Sequence, residues 1–332
     1  MAERAHRLGD GGQRLVEVSH LVHSFGATRA VDDVTFDVAV GEIFGLLGPN
    51  GAGKTTTMRV LLTLLPLQAG IARVAGLDVR ANREQVRSVV GWVPQDRAID
   101  PLLTGRENLR FVGGLHHLSR TEARRRADEL LDLVGLSDAG DRLVRELSGG
   151  MRRRLELAMG LVHRPRLLFL DEPSVGLDVR ARRRVWDHIE QIRSDGTTVV
   201  MTTHYLDEAD LLCDRIAIIH RGQIRAIAPP AELKRQHGHT RTHLRVAQDA
   251  EHVANVLARS FPSARIARCG DDVCVEAEDV ARVITTAAVT CRERGLAYPE
   301  VWTEQPSLDE VFLAVSGDVA TNLDGSVAEA AS

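Results

Sequence analysis

Lysine is nearly absent from this 332-residue chain: Lys54 and Lys234 stand against 40 arginines. A chain that writes almost every cation as arginine has kept a lysine inside a glycine-rich turn. Cysteine is scarce too. Cys213, Cys269, Cys274 and Cys291 are too few and too scattered for a disulfide framework, and none stands in a C-x2-C zinc pattern. They read as reduced thiols packed as small hydrophobes. The His237, His239, His243 run reads as a polar loop rather than a metal site. Aromatic residues are only 4%, too thin for a base-stacking platform, and the net charge of −4 offers no global field to nucleic acid. No nucleic-acid partner is expected. The longest apolar stretches, such as Leu61 to Leu67, fall short of the roughly 18 residues of a membrane span. Residues 1–14 are charged and glycine-rich without an apolar h-region, so they read as a flexible leader and not a signal peptide.

What the chain does have is length and periodicity. With 44% apolar and 27% charged residues it is globular in composition, and its length suggests about two domains. Arg14 to Val18 and Ala30 to Val40 read as β-rich, Ile43 to Leu47 as a short buried strand and Thr55 to Leu65 as a helix. Val89 to Val93 is another short strand. From Leu102 to Val162 the pattern is helical. Apolar runs at Leu167 to Leu170 and Thr197 to Met201 flank an arginine-rich helix over about Arg180 to Arg193, which predicts a parallel sheet covered on both faces. Ile216 to Ile219 and Ile224 to Ile227 make a hairpin, and Pro229-Pro230 closes this unit. Beyond it, a strand at Leu244 to Val246, a helical face on Val253 and Leu257, strands at Ala264 to Cys269 and Val273 to Ala277, a stripe from Val280 to Cys291 and a strand at Val301 to Thr303 follow in order. That β-α-β-β-α-β succession predicts a ferredoxin-like α+β domain. Leu308 to Val315 adds a docking helix, and residues 317–332 are expected to be disordered.

Gly48-Pro49-Asn50-Gly51-Ala52-Gly53-Lys54-Thr55 fits G-x-x-x-x-G-K-[ST], between a strand and a helix. Glycines let backbone N–H groups wrap a polyphosphate at a helix N-terminus that already favours anions. Lys54 would reach the β and γ phosphates, Thr55 would take a Mg²⁺ position, and Thr56 follows it in the same turn. Leu167-Leu168-Phe169-Leu170-Asp171-Glu172 buries a strand and delivers two carboxylates to its C-terminal end, where open α/β sheets bind ligands. Asp171 would hold Mg²⁺, and Glu172 would polarise the attacking water as general base.

A third element selects among nucleotide-binding families. Leu147-Ser148-Gly149-Gly150-Met151, running into Arg152-Arg153-Arg154, resembles the signature motif of ABC-type ATPases. The resemblance implies a P-loop NTPase core at residues 15–228, with a helical subdomain at 95–160 and an accessory domain at 229–316. It also implies ATP and Mg²⁺ as ligands, and a γ-phosphate held by Ser148, Gly149 and Gly150 of the opposite subunit. Gln95 resembles the Q-loop glutamine that senses Mg²⁺ and the membrane partner. Asp178, in Gly176-Leu177-Asp178, resembles the D-loop residue at the dimer seam, and His204 the switch histidine that contacts the γ-phosphate. Phe25 stands where the family carries an adenine-stacking aromatic, with core packing as the alternative. The closing Pro306-Ser307-Leu308-Asp309-Glu310-Val311-Phe312-Leu313 is similar to the accessory domain of daunorubicin-resistance-type exporter ATPases. Ser174 and Val179 depart from that group's usual threonine and proline, outside the phosphate contacts.

The resemblance implies two copies of the chain around two ATPs, peripheral to the cytoplasmic face of the cell membrane. There they would energise export of a drug, antibiotic or lipid-like substrate through a separate multi-span permease subunit. The competing reading is a soluble, non-transport ABC ATPase acting on a nucleic-acid or ribosomal partner. The arginine clusters at 124–126, 152–154 and 182–184 offer it slight support, and read more readily as solvated helix faces.

Overall fold

The computed structural model describes residues 13–316 except 97, 239, 247–248, 270–271 and 278. Most of the leader, His239 and the expected disordered tail lie outside the described residues. Two compact units divide the chain, Met1–Pro230 and Ala231–Ser332.

The first unit is built on two sheets. Its six-stranded sheet runs β10 (Gln223–Ala228), β9 (Arg215–His220), β3 (Ile43–Leu47), β8 (Thr198–Thr203), β7 (Leu167–Asp171), β6 (Val90–Val93), parallel from β9 to β6. Every residue of β3, β7 and β8 is buried, which is why their centres read as apolar runs rather than alternating patterns. The second sheet is antiparallel, in the order β2 (Thr28–Ala39), β1 (Arg14–Phe25), β4 (Ala69–Val74), β5 (Leu77–Asp78). Val18, Phe36, Phe44, Met58, Leu61, Phe169 and Ile219 share one buried cluster, in which the Phe36 and Phe44 rings stack at 5.2 Å. This core seats α1 (Lys54–Leu61) directly after β3.

The helix after β3 ends four residues earlier than its sequence predicts. Thr63 takes φ 59°, a left-handed conformation that costs a non-glycine residue roughly 1–2 kcal/mol. Arg87 holds the turn there, donating from Nε to Thr63 Oγ1 (2.8 Å) and from Nη2 to Thr63 O (3.2 Å). Arg87 belongs to α2 (Arg83–Val89), a one-face helix too short to show in the periodicity.

Between β6 and β7 lie α3 (Gly105–Leu115), α4 (Arg120–Leu133) and α5 (Gly149–Gly160). Thr104 and Glu107 cap α3 reciprocally, and Ser119 caps α4. After β7 come α6 (Val179–Ser194) and, after β8, α7 (Leu206–Leu212). Among the described residues no helix is long and apolar enough to cross a membrane.

His163, just past α5, stacks on His116 at 3.8 Å and donates from Nε2 to Val90 O (2.9 Å). Burial, reinforced by His116, pushes its pKa down from the ordinary imidazole value to about 4. The unfolded chain therefore binds more protons than the folded one from about pH 6.5 down to about pH 4, and stability is lost as pH falls through that window. His163→Gln is expected to shrink the loss in urea midpoint between pH 7 and pH 5. An identical loss in both proteins would assign the acid sensitivity to other groups.

The first unit ends at Pro230, as the proline pair suggests, and α8 (Pro230–His237) leads into the second. Pro230 begins a helix, a position at which its missing N–H is harmless. Then β11 (Arg241–Arg245), α9 (Ala250–Ser260), β12 (Arg265–Cys269), β13 (Asp272–Glu276), α10 (Val280–Glu293) and β14 (Glu300–Glu304) alternate. Their sheet is antiparallel in the order β12-β13-β11-β14, the ferredoxin-like arrangement. Leu244, Val253, Leu257, Val273, Val275, Val283 and Cys291 form its core. In α11 (Leu308–Ser316), Leu308 and Val311 are buried. Cys213, Cys274 and Cys291 are buried; Cys291 packs in the apolar core, and Cys274 Sγ lies 3.3 Å from His243 Nδ1.

Candidate functional site

The loop from Gly48 to Gly53 leaves the buried end of β3 and turns into α1, and its glycines are demanded by geometry. A Cβ on Gly48 would stand 2.2 Å from Ile219 O, and one on Gly53 2.5 Å from Ala30 O. Gly51 and Gly53 take φ 80° and 107°, open to glycine and strained for other residues. Pro49 and Asn50 are exposed, Ala52 is buried, and Thr55 and Thr56 are half-buried. Lys54, the lysine that composition singles out, is 4% exposed. Its Nζ donates to Gly48 O (2.7 Å) and Pro49 O (3.1 Å) and lies 3.7 Å from Glu172 Oε1. Burial lowers its pKa, while Glu172 and Asp171 act to keep its charge.

The parallel register sets Asp171 beside Thr202 and Leu47 beside Thr203, so the ends of β3, β7 and β8 converge. Asp171 Oδ1 accepts from Thr202 Oγ1 (2.5 Å) and Thr55 Oγ1 (3.1 Å). Glu172 is the hub of the cluster. Its N–H donates to Thr202 O and Oγ1, both at 3.1 Å. Its Oε2 accepts from Gln95 Nε2 (3.2 Å), and its Oε1 lies 3.1 Å from His204 Nδ1. The backbone of Glu172 sits at φ 47°, a strained conformation of the kind that concentrates at functional sites. Lys54, Thr55, Asp171, Glu172, Gln95 and His204, far apart in the chain, thus form one connected cluster.

The other candidates lie elsewhere. Ser148 is the N-cap of α5, its Oγ accepting from Met151 N (3.3 Å). With Gly149, Gly150, Asp178, Arg180 and Arg184 it lines a cavity of about 390 Å³ to which no residue of the Glu172 cluster contributes. A Cβ on Gly150 would meet Ala181 Cβ at 2.8 Å, so the α5 N-terminus and the start of α6 approach as closely as a glycine allows. Asp178 caps α6 by accepting from Ala181 N (2.8 Å). Phe25 is 52% exposed, with its ring edge-on to His23 at 4.8 Å, which places it outside the core.

Sequence reasoning misses two participants. Thr202 ties both carboxylate residues to β8, and nothing in its type distinguishes it from any strand-end threonine. Arg153 corrects the reading of 152–154 as a solvated face: it is buried. Helical spacing points to this, because Arg153 shares a face of α5 with the buried Leu157 and Gly160. Arg126 and Arg154 are likewise engaged, donating to carbonyls of Leu161 and Val134 at 2.8 and 2.6 Å. An apolar groove of about 330 Å³, lined by Leu62, Trp92, Pro94, Val112, Met159 and His163, lies beside the Gln95 loop.

Comparison with known proteins gives the family. The family described as ABC transporter matches residues 31–175. A daunorubicin resistance ATP-binding protein, DrrA2 of Streptomyces coeruleorubidus, is 44% identical over 90% of this chain and 94% of its own length. A solved ATP-binding subunit of an ABC transporter, at 29% identity and TM-score 0.60, covers 67% of this chain and 92% of its own. A dimeric ATP-binding cassette in a post-hydrolysis state, bound to ADP and Pi, shares the fold at 24% identity and TM-score 0.58, over 64% of this chain and 98% of its own. With its glycine cradle, its lone buried lysine and its carboxylate hub, the chain belongs to the ABC transporter family, as an ATP-binding, ATP-hydrolysing subunit of the daunorubicin-resistance group.

Proposed function

We propose that two copies of this chain close head to tail on two ATP molecules and use the energy of hydrolysis to move a separate, multi-span membrane subunit. That subunit exports a drug, antibiotic or lipid-like compound, and this chain sits peripherally on the cytoplasmic face of the membrane. The observation that carries the proposal is the convergence of Lys54, Gln95 and His204 on the single carboxylate of Glu172.

In this reading the N–H groups from Gly48 to Gly53, with Pro49, Asn50 and Ala52 shaping the turn, wrap the phosphates while Lys54 pairs with the β and γ groups. Thr55 Oγ1 and Asp171 Oδ1 are hard oxygen donors that fit Mg²⁺, with Thr56 beside them and Gln95 completing the surroundings. Nucleotide oxygens would supply most of the remaining Mg²⁺ ligands. Mg²⁺ bound there would act as a Lewis acid on the phosphate oxygens. Glu172 accepts the proton of a water whose oxygen forms the new bond to the γ phosphorus as the bond to the β–γ bridging oxygen breaks. His204 and Gln95 hold the carboxylate in line, and Phe25 stacks on adenine. The other copy contributes Ser148, Gly149 and Gly150 to the γ-phosphate, with Asp178 at the seam. The membrane subunit docks in the apolar groove beside Gln95.

The nucleic-acid reading is weakened at two of its three arginine clusters, where Arg126, Arg153 and Arg154 donate to backbone carbonyls of this chain. The shared site is tested by Ser148→Arg. ATP binding to a single chain should stay near native, while hydrolysis falls by about 100-fold or more, the scale of losing a preorganised transition-state donor. Native turnover in that variant would refute the shared site.

A further inference from the structure

Arg153 uses all five of its N–H donors. Nε donates to Pro173 O (2.8 Å), Nη1 to Pro94 O and Glu156 Oε2 (both 2.8 Å), and Nη2 to Asp171 O (3.1 Å) and Glu172 O (3.3 Å). Three of these acceptors are consecutive carbonyls where β7 ends, and a fourth immediately precedes Gln95. One side chain on α5 therefore holds both segments that aim the carboxylate hub.

Holding is needed there. Glu172 stands at φ 47°, and a non-glycine residue keeps such a conformation only when its surroundings over-determine it. Thr202 fixes the N–H side of Glu172, and Arg153 takes the carbonyls on the other side and next to it. Only a planar fork of donors can serve acceptors spread over two segments; a lysine ammonium, with three donors at one point, cannot. Glu156, 7% exposed, balances the buried charge.

We propose that Arg153 is a positioning residue for hydrolysis: its guanidinium sets the directions of the Glu172 side chain and the Gln95 loop, and ties both to the helix capped by Ser148. Arg153 stands five positions after Ser148, the N-cap of that helix. Any displacement of α5 when a nucleotide engages Ser148 is carried to the backbone of the residue that takes the water's proton. The inference rests on the reading of Glu172 as general base.

The test uses the full chain with Arg153→Lys, which keeps the charge opposite Glu156 and removes the fork. The expected result is kcat lower by at least about tenfold, since misplacement of a reacting group by ~1 Å costs up to about 100-fold, with KM for ATP changed less than about threefold. A merely structural residue would lower the apparent kcat only by the unfolded fraction and leave KM unchanged, so kcat is referred to the ATP-binding sites counted by titration. A structural role predicts a native value per site, the positioning role a loss that persists. Should the lysine variant fold poorly, Arg153→Met combined with Glu156→Met replaces the buried pair by apolar side chains, a change often neutral for stability. It should show the same kcat loss. Native kcat in either folded variant overturns the inference. Glu172→Gln is assayed in parallel: if it too hydrolyses normally, the base reading has failed and takes this one with it, whereas an inactive Glu172→Gln beside native Arg153 variants sinks only the role of Arg153.

Discussion

Glu172→Gln should bind ATP with near-native affinity while hydrolysing it about 100- to 10,000-fold more slowly, the range associated with losing a general base. Glutamine keeps the shape of the side chain and the contacts to Gln95 and His204, but its amide takes no proton from water. Lys54 would lose the buried carboxylate 3.7 Å from its ammonium, one of the two charges that oppose the lowering of its pKa. Because turnover is what reopens the nucleotide-clasped pair, the variant should accumulate as a dimer in ATP and elute as one on gel filtration. Normal phosphate release would remove Glu172 from the proton-accepting role.

Lys54→Ala is expected to weaken ATP binding by about 10- to 100-fold, the scale of charge-assisted hydrogen bonds worth roughly 1.5–3 kcal/mol. The substitution removes the cation that faces Glu172 and Asp171 in a buried setting, so it also leaves two carboxylates beside incoming phosphate without their counter-charge. Calorimetric titration reads the effect directly. An unchanged Kd would mean that the glycine loop and Lys54 do not cradle the phosphates, whatever the loop's geometry.

Much of the site is legible in the amino-acid sequence because its chemistry forces unusual local patterns. A lysine in an arginine-rich chain, flanked by glycines at positions where a Cβ would strike Ile219 O or Ala30 O, marks the phosphate loop. Buried parallel strands are largely apolar, so Asp171 at the end of β7 stands out as a break, whereas Thr202, one of three threonines in β8, does not. The β-α-β-β-α-β order of the second unit is legible because β11, β13, α9 and α10 each bury apolar residues, although β14 is exposed throughout. Elements whose cause is tertiary stay hidden. The stop at Thr63 depends on Arg87, which lies 24 residues away. The strands β4 and β5 are short, and Gly70 interrupts the pattern of the first. Arg153 is misread because a run of three arginines suggests a wet surface, whereas a helix sends neighbouring residues in different directions. The burial of Arg153 depends on carbonyls of Pro94 and Pro173 that no local pattern reveals.

Mixing two inactive variants puts the central idea at most direct risk. Lys54→Ala lacks the loop's cation, Ser148→Arg lacks the nest, and each alone should be nearly inert. In a two-fold dimer that combines one chain of each, one composite site carries both lesions and the other carries neither. With random pairing the mixture should recover up to about a quarter of the native ATPase rate. A mixture as inactive as its components, shown to contain mixed dimers, would contradict the account.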